Sequence, residues 1–218
     1  MSDWKWLLHK TFEGLRKLDE RGSPVPHWVL GGGTSLMIEF QHRLSKDIDA
    51  FIYDPQYLQY LDPGMGAEDV WGCEEWDLQS NYLKLIYDHG EIDFIVAPTI
   101  TDLIPSRREI EGHPVALEHP VEVCVSKMFH RSRTLKIRDI FDIAVVDQSM
   151  SEILSENLVH LSGKKGDLQA RLDEITPSYY AEELEEIEVM PGWEGIPATA
   201  FDRIREIVEA IPKPGYRS

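Results

Sequence analysis

The sequence predicts an α+β fold, with a mixed or antiparallel sheet in residues 1–118 and a helical lobe in residues 119–218. Short apolar segments between turn residues predict strands at 47–53, 82–87 and 91–97. In the second half, by contrast, apolar residues recur at helical spacing in segment after segment. A chain of 218 residues is long enough to form one large domain or two smaller lobes around a real core.

Local patterns predict the remaining elements. Residues 3–20 have apolar positions at helical spacing and predict an amphipathic helix. Thr34 is a suitable N-cap for a helix that follows the glycines, and the turn-rich segment 54–80 predicts a helix or loop excursion. The last two strands above form one predicted hairpin, and 107–110 with 115–117 form a second. The helices of the second half are predicted at 121–131, 137–147, 151–161, 167–175, 178–187 and 198–211.

Composition narrows the class of protein. The hydrophobic content of 42% is typical of a globular protein. No apolar run reaches the length of about 18 residues that a transmembrane helix needs. No signal sequence is recognisable and Cys73 and Cys124 are isolated, so we expect a cytoplasmic protein with free thiols and no membrane association. The net charge of −17 argues against binding along nucleic acid through bulk electrostatics.

The most informative motif is a glycine turn followed by two carboxylates. Gly31-Gly32-Gly33 precedes Asp47-Ile48-Asp49, and alternate residues of a strand point to the same face. Asp47 and Asp49 are therefore expected to project together, with Cα atoms roughly 6.6 Å apart. A divalent cation offsets the repulsion between two such charges, and a glycine turn lets backbone N–H groups approach phosphates. The pattern predicts a metal–nucleotide site.

Asp93 is the candidate for a third carboxylate. It is a single acid among the strand-forming residues of Ile92–Val96. If this strand lies beside the strand of Asp49, three carboxylates can hold two Mg²⁺ ions about 3.5–4 Å apart. Burying an unpaired acid is costly, which favours a functional reason for its presence. The alternative is that Asp93 faces solvent.

Charge is unevenly distributed along the second half. Five basic residues and no acid occur between Lys127 and Arg138, whereas six acids and no base occur between Glu182 and Glu194. A local basic segment on an acidic protein suits a phosphate-bearing ligand better than a long duplex. Two oppositely charged, solvated helix faces are the alternative interpretation.

These motifs resemble those of a known family. Gly32–Leu36 (GGTSL) followed by Arg43–Phe51 (RLSKDIDAF) resembles the G-G-T-x-L … R-x-S-x-D-[IL]-D-x-F signature of the AbiEii/AbiGii toxin family. That family belongs to the DNA polymerase β-like nucleotidyltransferase superfamily. Lys127 and the later Arg138–Asp142 (RDIFD) are similar to the family's K … R-D-x-x-D-[LI] motif. The resemblance covers about residues 28–146 and implies a polymerase β-like nucleotidyltransferase core.

The resemblance also implies a chemistry and a set of site residues. It implies transfer of a nucleotidyl group from a nucleoside triphosphate to an acceptor hydroxyl, such as a tRNA 3′ end, at a two-metal Mg²⁺ site. It further implies a type IV toxin–antitoxin or phage-defence role, with a cognate antitoxin as partner. The implied metal ligands are Asp47, Asp49 and Asp93; the further catalytic residues are Lys127, Asp139 and Asp142; the implied nucleotide contacts are Gly32, Gly33, Thr34, Ser35, Arg43, Ser45 and Arg138.

Structural roles are open for several of these residues. Lys127 can be a solvated helix lysine, and Arg43 can anchor the strand instead of a phosphate. Arg138 and Asp142 are four residues apart on a predicted helix and can pair, so the Arg138–Asp142 segment can tie the two halves together. Two other functions fit the sequence: a catalytically silent relative that binds a nucleotide or a protein, and a transferase that modifies a small hydroxylated metabolite. The complete acid set favours activity, with the α/β half holding metal and phosphate and the helical half closing over the nucleotide.

Overall fold

The computed structural model describes residues 4–213, which divide into two compact units. Unit 1 consists of residues 4–35, 45–98 and 104–118. Unit 2 consists of residues 36–44, 99–103 and 119–213. The longest segment of unit 2 begins at His119. Two short segments of the first half nevertheless belong to unit 2.

Unit 1 is built on a mixed sheet. Its strands are β1 (Trp28–Gly31), β2 (Ile48–Ile52), β3 (Glu75–Leu78), β4 (Tyr82–Tyr87), β5 (Gly90–Val96), β6 (Ser106–Ile110) and β7 (His113–Leu117). Within residues 4–213 these form one seven-stranded sheet in the order β3-β4-β5-β2-β1-β7-β6. The β1–β7 and β2–β5 pairs are parallel and the other neighbours are antiparallel. The predicted α+β class, with a mixed sheet followed by helices, is confirmed, as are both predicted hairpins.

The central strands bury one face of this sheet. Alternate residues are buried along β2, β4 and β5, among them Ile92 and Phe94 of β5. Helix α1 (Trp4–Glu20), which the apolar spacing of its sequence predicts, contacts β2 and β5 and buries a leucine stripe. The residues between the buried positions point to the opposite face, because side chains alternate along a strand. That opposite face carries Asp49 of β2, Lys84 of β4 and Asp93 of β5.

The segment 54–80 is only partly as predicted. It contains two 3-10 turns, at Pro55–Tyr57 and Pro63–Met65, and the short helices α3 (Leu58–Leu61) and α4 (Glu68–Trp71). It also contains the edge strand β3, which the sequence did not predict. Nearly all of β3 is exposed, so its sequence lacks the alternation of apolar and polar residues by which a half-buried strand is recognised.

Unit 2 is helical. Helix α2 (Gly32–Phe40) enters it from unit 1, and α5 (Pro120–His130), α6 (Ile137–Asn157), α7 (Lys165–Glu174), α8 (Pro177–Glu185) and α9 (Ile196–Ala210) follow. The predicted helix 137–147 and the first part of the predicted helix 151–161 join as α6, which is kinked at Met150 (φ −141°, ψ 37°). A 3-10 helix over Leu158–Lys164 follows α6. The core packs α5, α6 and α9 around side chains such as Phe141 and Ile204. Glu122 fixes the segment 99–103, since its carboxylate accepts hydrogen bonds from the N–H groups of Ile100 and Thr101 at 2.7 and 2.8 Å.

Within residues 4–213, no helix combines the length and the apolar character that a bilayer crossing requires.

Candidate functional site

The glycine turn lies directly against the second aspartate of the motif. Gly32 has φ +65°, a conformation that favours glycine, and a Cβ atom at this position would lie 1.8 Å from Asp49 Oδ2. Gly31 is the register neighbour of Asp49 across the β1–β2 pair, and its own Cβ would lie 2.4 Å from the buried Glu118 carboxylate. Both glycines are therefore required by close packing of carboxylates around the turn.

Helix α2 begins inside the glycine turn. Because α2 starts at Gly32, Thr34 lies within its first turn, and the prediction that Thr34 is the N-cap is wrong. The Thr34 hydroxyl instead donates a hydrogen bond to the Asp47 carbonyl, and the Ser35 hydroxyl donates to the Gly32 carbonyl at 2.9 Å. Both side chains are buried, so their hydroxyls fix the turn. The first N–H groups of a helix have no partner within the helix and attract anions.

Asp93 lies beside Asp49. Strand β5 is the parallel neighbour of β2, and the register places Asp93 next to Asp49 on the same face. The Asp93 side chain is 19% exposed, and its Oδ1 atom is buried without a hydrogen-bond partner among the described residues. Burial raises the pKa of Asp93 to about 6; the Asp49 carboxylate adds to this rise, and Lys84 opposes it. Asp93 is thus a poorly solvated acid next to a second carboxylate.

Lys84 faces these acids from the other side of β5. It is the antiparallel register partner of Asp93, and its Nζ atom lies 3.2 Å from Asp93 Oδ2 and also forms an ion pair with Glu91. Burial alone lowers the pKa of Lys84, but Glu91 and Asp93 outweigh burial and raise it. No sequence motif indicates Lys84. The sequence nevertheless contains a signal for it. If β4 and β5 are paired as a hairpin, alternation places Lys84, the single basic residue of the two strands, on the face of Asp93.

Asp47 is held differently from Asp49. Strand β2 begins at Ile48, so the alternation that predicted a joint projection of Asp47 and Asp49 does not extend to Asp47. Its Oδ1 atom accepts a hydrogen bond from the Glu91 N–H at 3.2 Å. This contact depends on Gly90, where a Cβ would lie 2.8 Å from the Lys46 carbonyl. Ser45 is half-buried in the irregular segment that precedes β2.

The acids of unit 1 supply the kind of oxygen ligand that a divalent cation prefers, but their side chains are not arranged around a common point. Carboxylate oxygens are the ligands that Mg²⁺ prefers, and the unpartnered Asp93 Oδ1 is an oxygen that a cation would satisfy. Across residues 4–213, however, no three side chains of His, Cys, Asp or Glu are grouped closely enough to hold a metal ion. Asp93 is held by Lys84 and Asp47 by a backbone amide. The donor set therefore fits the cation, provided that the Lys84 ion pairs open.

The later motif residues form a buried ion-pair network in unit 2. Its centre is Asp142, which is fully buried. Arg43 donates to both carboxylate oxygens of Asp142, at 2.6 Å from Nε and 2.8 Å from Nη2, and His42 Nε2 contacts Oδ1 at 2.8 Å. Lys127 Nζ lies 2.5 Å from Asp142 Oδ2. Burial alone raises a carboxyl pKa, but Arg43 and Lys127 hold the pKa of Asp142 well below its usual range.

Lys127 links Asp142 to a second buried acid. Its Nζ atom lies 3.0 Å from Asp139 Oδ1, and Arg131 Nη1 lies 3.1 Å from each oxygen of the same carboxylate. Burial raises the pKa of Asp139, but Lys127 and Arg131 outweigh burial and lower it. The same two acids outweigh burial and raise the pKa of Lys127. The ammonium of Lys127 is therefore committed to two internal carboxylates.

Arg138 is not part of this network. It lies on the exposed side of α6, whereas Asp142 faces the core and is saturated by Arg43, Lys127 and His42. The pair that helical spacing allows between Arg138 and Asp142 is therefore not formed. The segment 127–138 is consequently less of a basic surface than its sequence indicates, since Lys127 and Arg131 are used internally and Arg133 pairs with Asp167.

A segment from the far end of the chain holds residues 40–44. Arg43 forms an isolated antiparallel bridge with Val189, Leu44 N–H donates to the Glu188 carbonyl at 3.1 Å, and Met190 N–H donates to the His42 carbonyl at 2.9 Å. The indole Nε1 of Trp193 donates to the Phe40 carbonyl at 3.1 Å. Residues 188–193, called the clasp below, thus give the C-terminal region a structural role that no sequence motif indicated.

One family of nucleotidyltransferases matches part of this chain. The model of the family described as nucleotidyl transferase AbiEii toxin, type IV TA system, matches residues 16–67. That segment contains the glycine turn, Asp47 and Asp49, so the match supports the family resemblance that the motifs indicate. None of the curated protein sequences matches the chain.

Two solved structures are similar to this chain in part. MenT4, a nucleotidyltransferase toxin from Mycobacterium tuberculosis H37Rv, has 15% identity and a TM-score of 0.49, over 87% of this chain and 77% of that one. An H. pylori protein provisionally described as a nucleotidyltransferase has 14% identity and a TM-score of 0.43, over 97% of each chain. Similarities of this size add no residue assignments to those made from the site itself.

Proposed function

We propose that the protein transfers a nucleotidyl group from a nucleoside triphosphate to an acceptor hydroxyl at the face of β2 and β5. The observation that carries this proposal is the placement of Asp93 beside Asp49, with the Gly32 backbone packed against the Asp49 carboxylate. Two acids on neighbouring strands at the start of a helix suit a ligand that combines a cation with phosphates.

The glycine turn is the proposed phosphate contact. The N–H groups of Gly32, Gly33, Thr34 and Ser35 form the first turn of α2 and can donate to phosphate oxygens. The buried Thr34 and Ser35 hydroxyls already donate to backbone carbonyls, so they support the turn while its amides contact the ligand. Orientation of the triphosphate by fixed donors is a large part of the catalytic effect in phosphoryl-type transfer.

Asp49 and Asp93, with Asp47, are the proposed ligands of Mg²⁺. Bound there, the cation would neutralise phosphate charge and activate the acceptor hydroxyl. The chain's own contribution is to hold Asp49 by the close approach of Gly32 and to keep Asp93 in a poorly solvated position. The Asp93 Oδ1 atom, which has no hydrogen-bond partner among the described residues, gains most from a bound cation.

The buried network is proposed to position this motif region. Arg43, Lys127, Asp139 and Asp142 neutralise one another in the core of unit 2 and thereby fix the segment 42–43. In this proposal Lys127 stabilises Asp139 and Asp142 and does not bind the triphosphate. Arg138, which is exposed, stays a proposed nucleotide or acceptor contact, and Ser45 stays a proposed contact in the segment before β2.

The motif resemblance implies a tRNA 3′ end as acceptor, and the type IV TA description of the matched family supports a cognate antitoxin as partner. The chain's net charge of −17 restricts any RNA contact to a local surface. These two assignments therefore depend on the family alone.

A labelled-nucleotide assay tests the proposal. The protein is incubated with each labelled nucleoside triphosphate, Mg²⁺ and total tRNA or small hydroxylated acceptors, and label transfer is measured. We expect transfer by the native chain and by Asp69→Asn, which alters an exposed acid paired with Arg21. We expect loss in Asp49→Asn and in Asp93→Asn. Transfer that persists in either variant would overturn the acid assignment, and absence of both transfer and nucleotide binding would favour the silent, binding-only alternative.

A further inference from the structure

Lys84 lies where it can replace the positive charge of a bound cation. The strands β2, β4 and β5 together contain four acids and bases on the face of Asp49: Asp49, Glu91, Asp93 and, as the single basic residue of these strands, Lys84. Cross-strand neighbours on one face of a sheet interact, and like charges there are destabilising. One ammonium among three carboxylates reduces that repulsion without cancelling it.

The contacts of Lys84 show which acids it neutralises. Its Nζ atom forms an ion pair with Glu91 and lies 3.2 Å from Asp93 Oδ2, while the other Asp93 oxygen, Oδ1, stays buried without a partner among residues 4–213. Lys84 is itself 27% exposed at its side chain, so it is partly accessible to solvent. Asp93 is therefore half satisfied by a lysine and half available to another cation.

A lysine is suited to a temporary role of this kind. Its ammonium is a compact point charge on a flexible four-carbon stem and can leave a carboxylate without disturbing the backbone. A divalent cation needs the same carboxylate oxygens and carries twice the charge. The two cations compete, because a carboxylate gains less from a second positive neighbour, and an ammonium near the ion repels it.

We propose that Lys84 is a positioning residue that holds Asp93 and Glu91 in the metal-free protein and is displaced when the divalent cation binds. This inference rests on the proposed function, because it takes Asp49 and Asp93 as the metal ligands. It assigns Lys84 two effects: the metal-free fold is stabilised, and the affinity for the cation is lowered. A lysine that only stabilised the sheet would not lower the affinity for the cation.

Cation binding without nucleotide tests the inference. Mg²⁺ and Mn²⁺ are titrated into the native protein, Lys84→Met and Lys84→Arg by calorimetry, and thermal unfolding is followed with and without each ion. Lys84→Met should bind the ion about tenfold more tightly, which corresponds to about 1.4 kcal/mol. Its melting temperature should be lower without the ion and should rise more than the native protein's when the ion is added. Lys84→Arg keeps the charge and should stay close to the native protein in both respects.

A matched control separates this effect from a general change of charge. Lys17→Met removes a lysine of the same unit that is paired with Glu13 on α1, away from the acids, and should leave ion affinity unchanged. Equal affinities in the native protein, Lys84→Met and Lys17→Met would overturn the role of Lys84 while leaving the metal site intact. Failure of the native protein and of all variants to bind either ion would instead overturn the proposed function. Should Lys84→Met not fold, the affinity of Lys84→Gln decides the question by the same criterion.

Discussion

The carboxylate of Asp49 packs so closely against the backbone of Gly32 that no side chain fits at position 32. A Cβ at that position would overlap Asp49 Oδ2 at 1.8 Å, and the φ of +65° is itself unfavourable for other residues. The glycine of the motif is thus explained by its neighbouring acid. Turn and carboxylate act as one structural unit, since moving either displaces the other.

Gly32→Ala should therefore destabilise the protein and remove the proposed nucleotidyl transfer. The backbone conformation alone costs about 1–2 kcal/mol, and the overlap with Asp49 adds to it. Gly22→Ala is the matched control, because Gly22 has φ +79° and no atom within 4 Å of its Cβ position. Urea unfolding of both variants separates the two contributions. Equal losses of stability in Gly32→Ala and Gly22→Ala would show that the contact with Asp49 does not matter.

Asp93→Asn should abolish activity without weakening the fold. The substitution preserves shape, removes a charge that lies next to Asp49 in a poorly solvated position, and leaves Lys84 paired with Glu91. We expect a melting temperature at or above that of the native protein. Asp77→Asn, which alters an acid that accepts hydrogen bonds from Tyr82 and Gln79, serves as the comparison and should lower it slightly. A fall of many degrees in Asp93→Asn would mean that Asp93 stabilises the fold instead of the ligand.

Asp142→Ala should be among the most destabilising changes in unit 2. It leaves Arg43, Lys127 and His42 buried without their shared carboxylate, and breaking a buried pair in this way costs about 3–5 kcal/mol. Asp167→Ala removes the partner of Arg133, whose side chain is 79% exposed, and should cost less than about 1 kcal/mol. Chemical unfolding measures both values. Similar losses in the two variants would contradict the structural importance of the network.

Acid should destabilise the native protein through the same residues. Arg43, Lys127 and Arg131 keep the pKa values of Asp142 and Asp139 in the folded protein below those of the unfolded chain. Acids with lowered pKa values stabilise the fold above their unfolded pKa near 4, and this stabilisation is lost as the pH falls from there towards the folded pKa. The free energy of unfolding should thus decline below about pH 4. In Asp142→Asn the decline should be smaller, and an identical pH profile would argue against the network as its source.

Local patterns were enough to predict most elements of the fold. The leucines of α1, the alternation in β4 and β5 and the apolar spacing of α5 are properties of short segments, and each gives its element directly. Asp93 was found in the same way, as one acid among strand formers. Strand β3 was missed because an exposed edge strand does not need alternating apolar residues.

Long-range pairing accounts for the rest of the site. Arg43 and Asp142 are far apart in sequence, and no local rule selects Arg43 over Arg138, which has helical spacing to Asp142 but lies on the exposed side. Lys84 was missed for the same reason, since its partners are on the next strand and its importance depends on the register. Charge along a sequence shows which residues are available for pairing, whereas the fold determines which of them meet.

The clasp has a consequence for the order in which the chain becomes native. Arg43 is synthesised well before its bridge partner Val189 and the indole of Trp193. Chains fold from the N-terminus as they are made, so residues 40–44 have no partners for their clasp hydrogen bonds during most of synthesis. Unit 2 is thereby completed only after residues 188–193 have been made. A product that ends before residue 188 would contain the glycine turn, Asp47, Asp49 and Asp93, yet lack the clasp hydrogen bonds to residues 40–44.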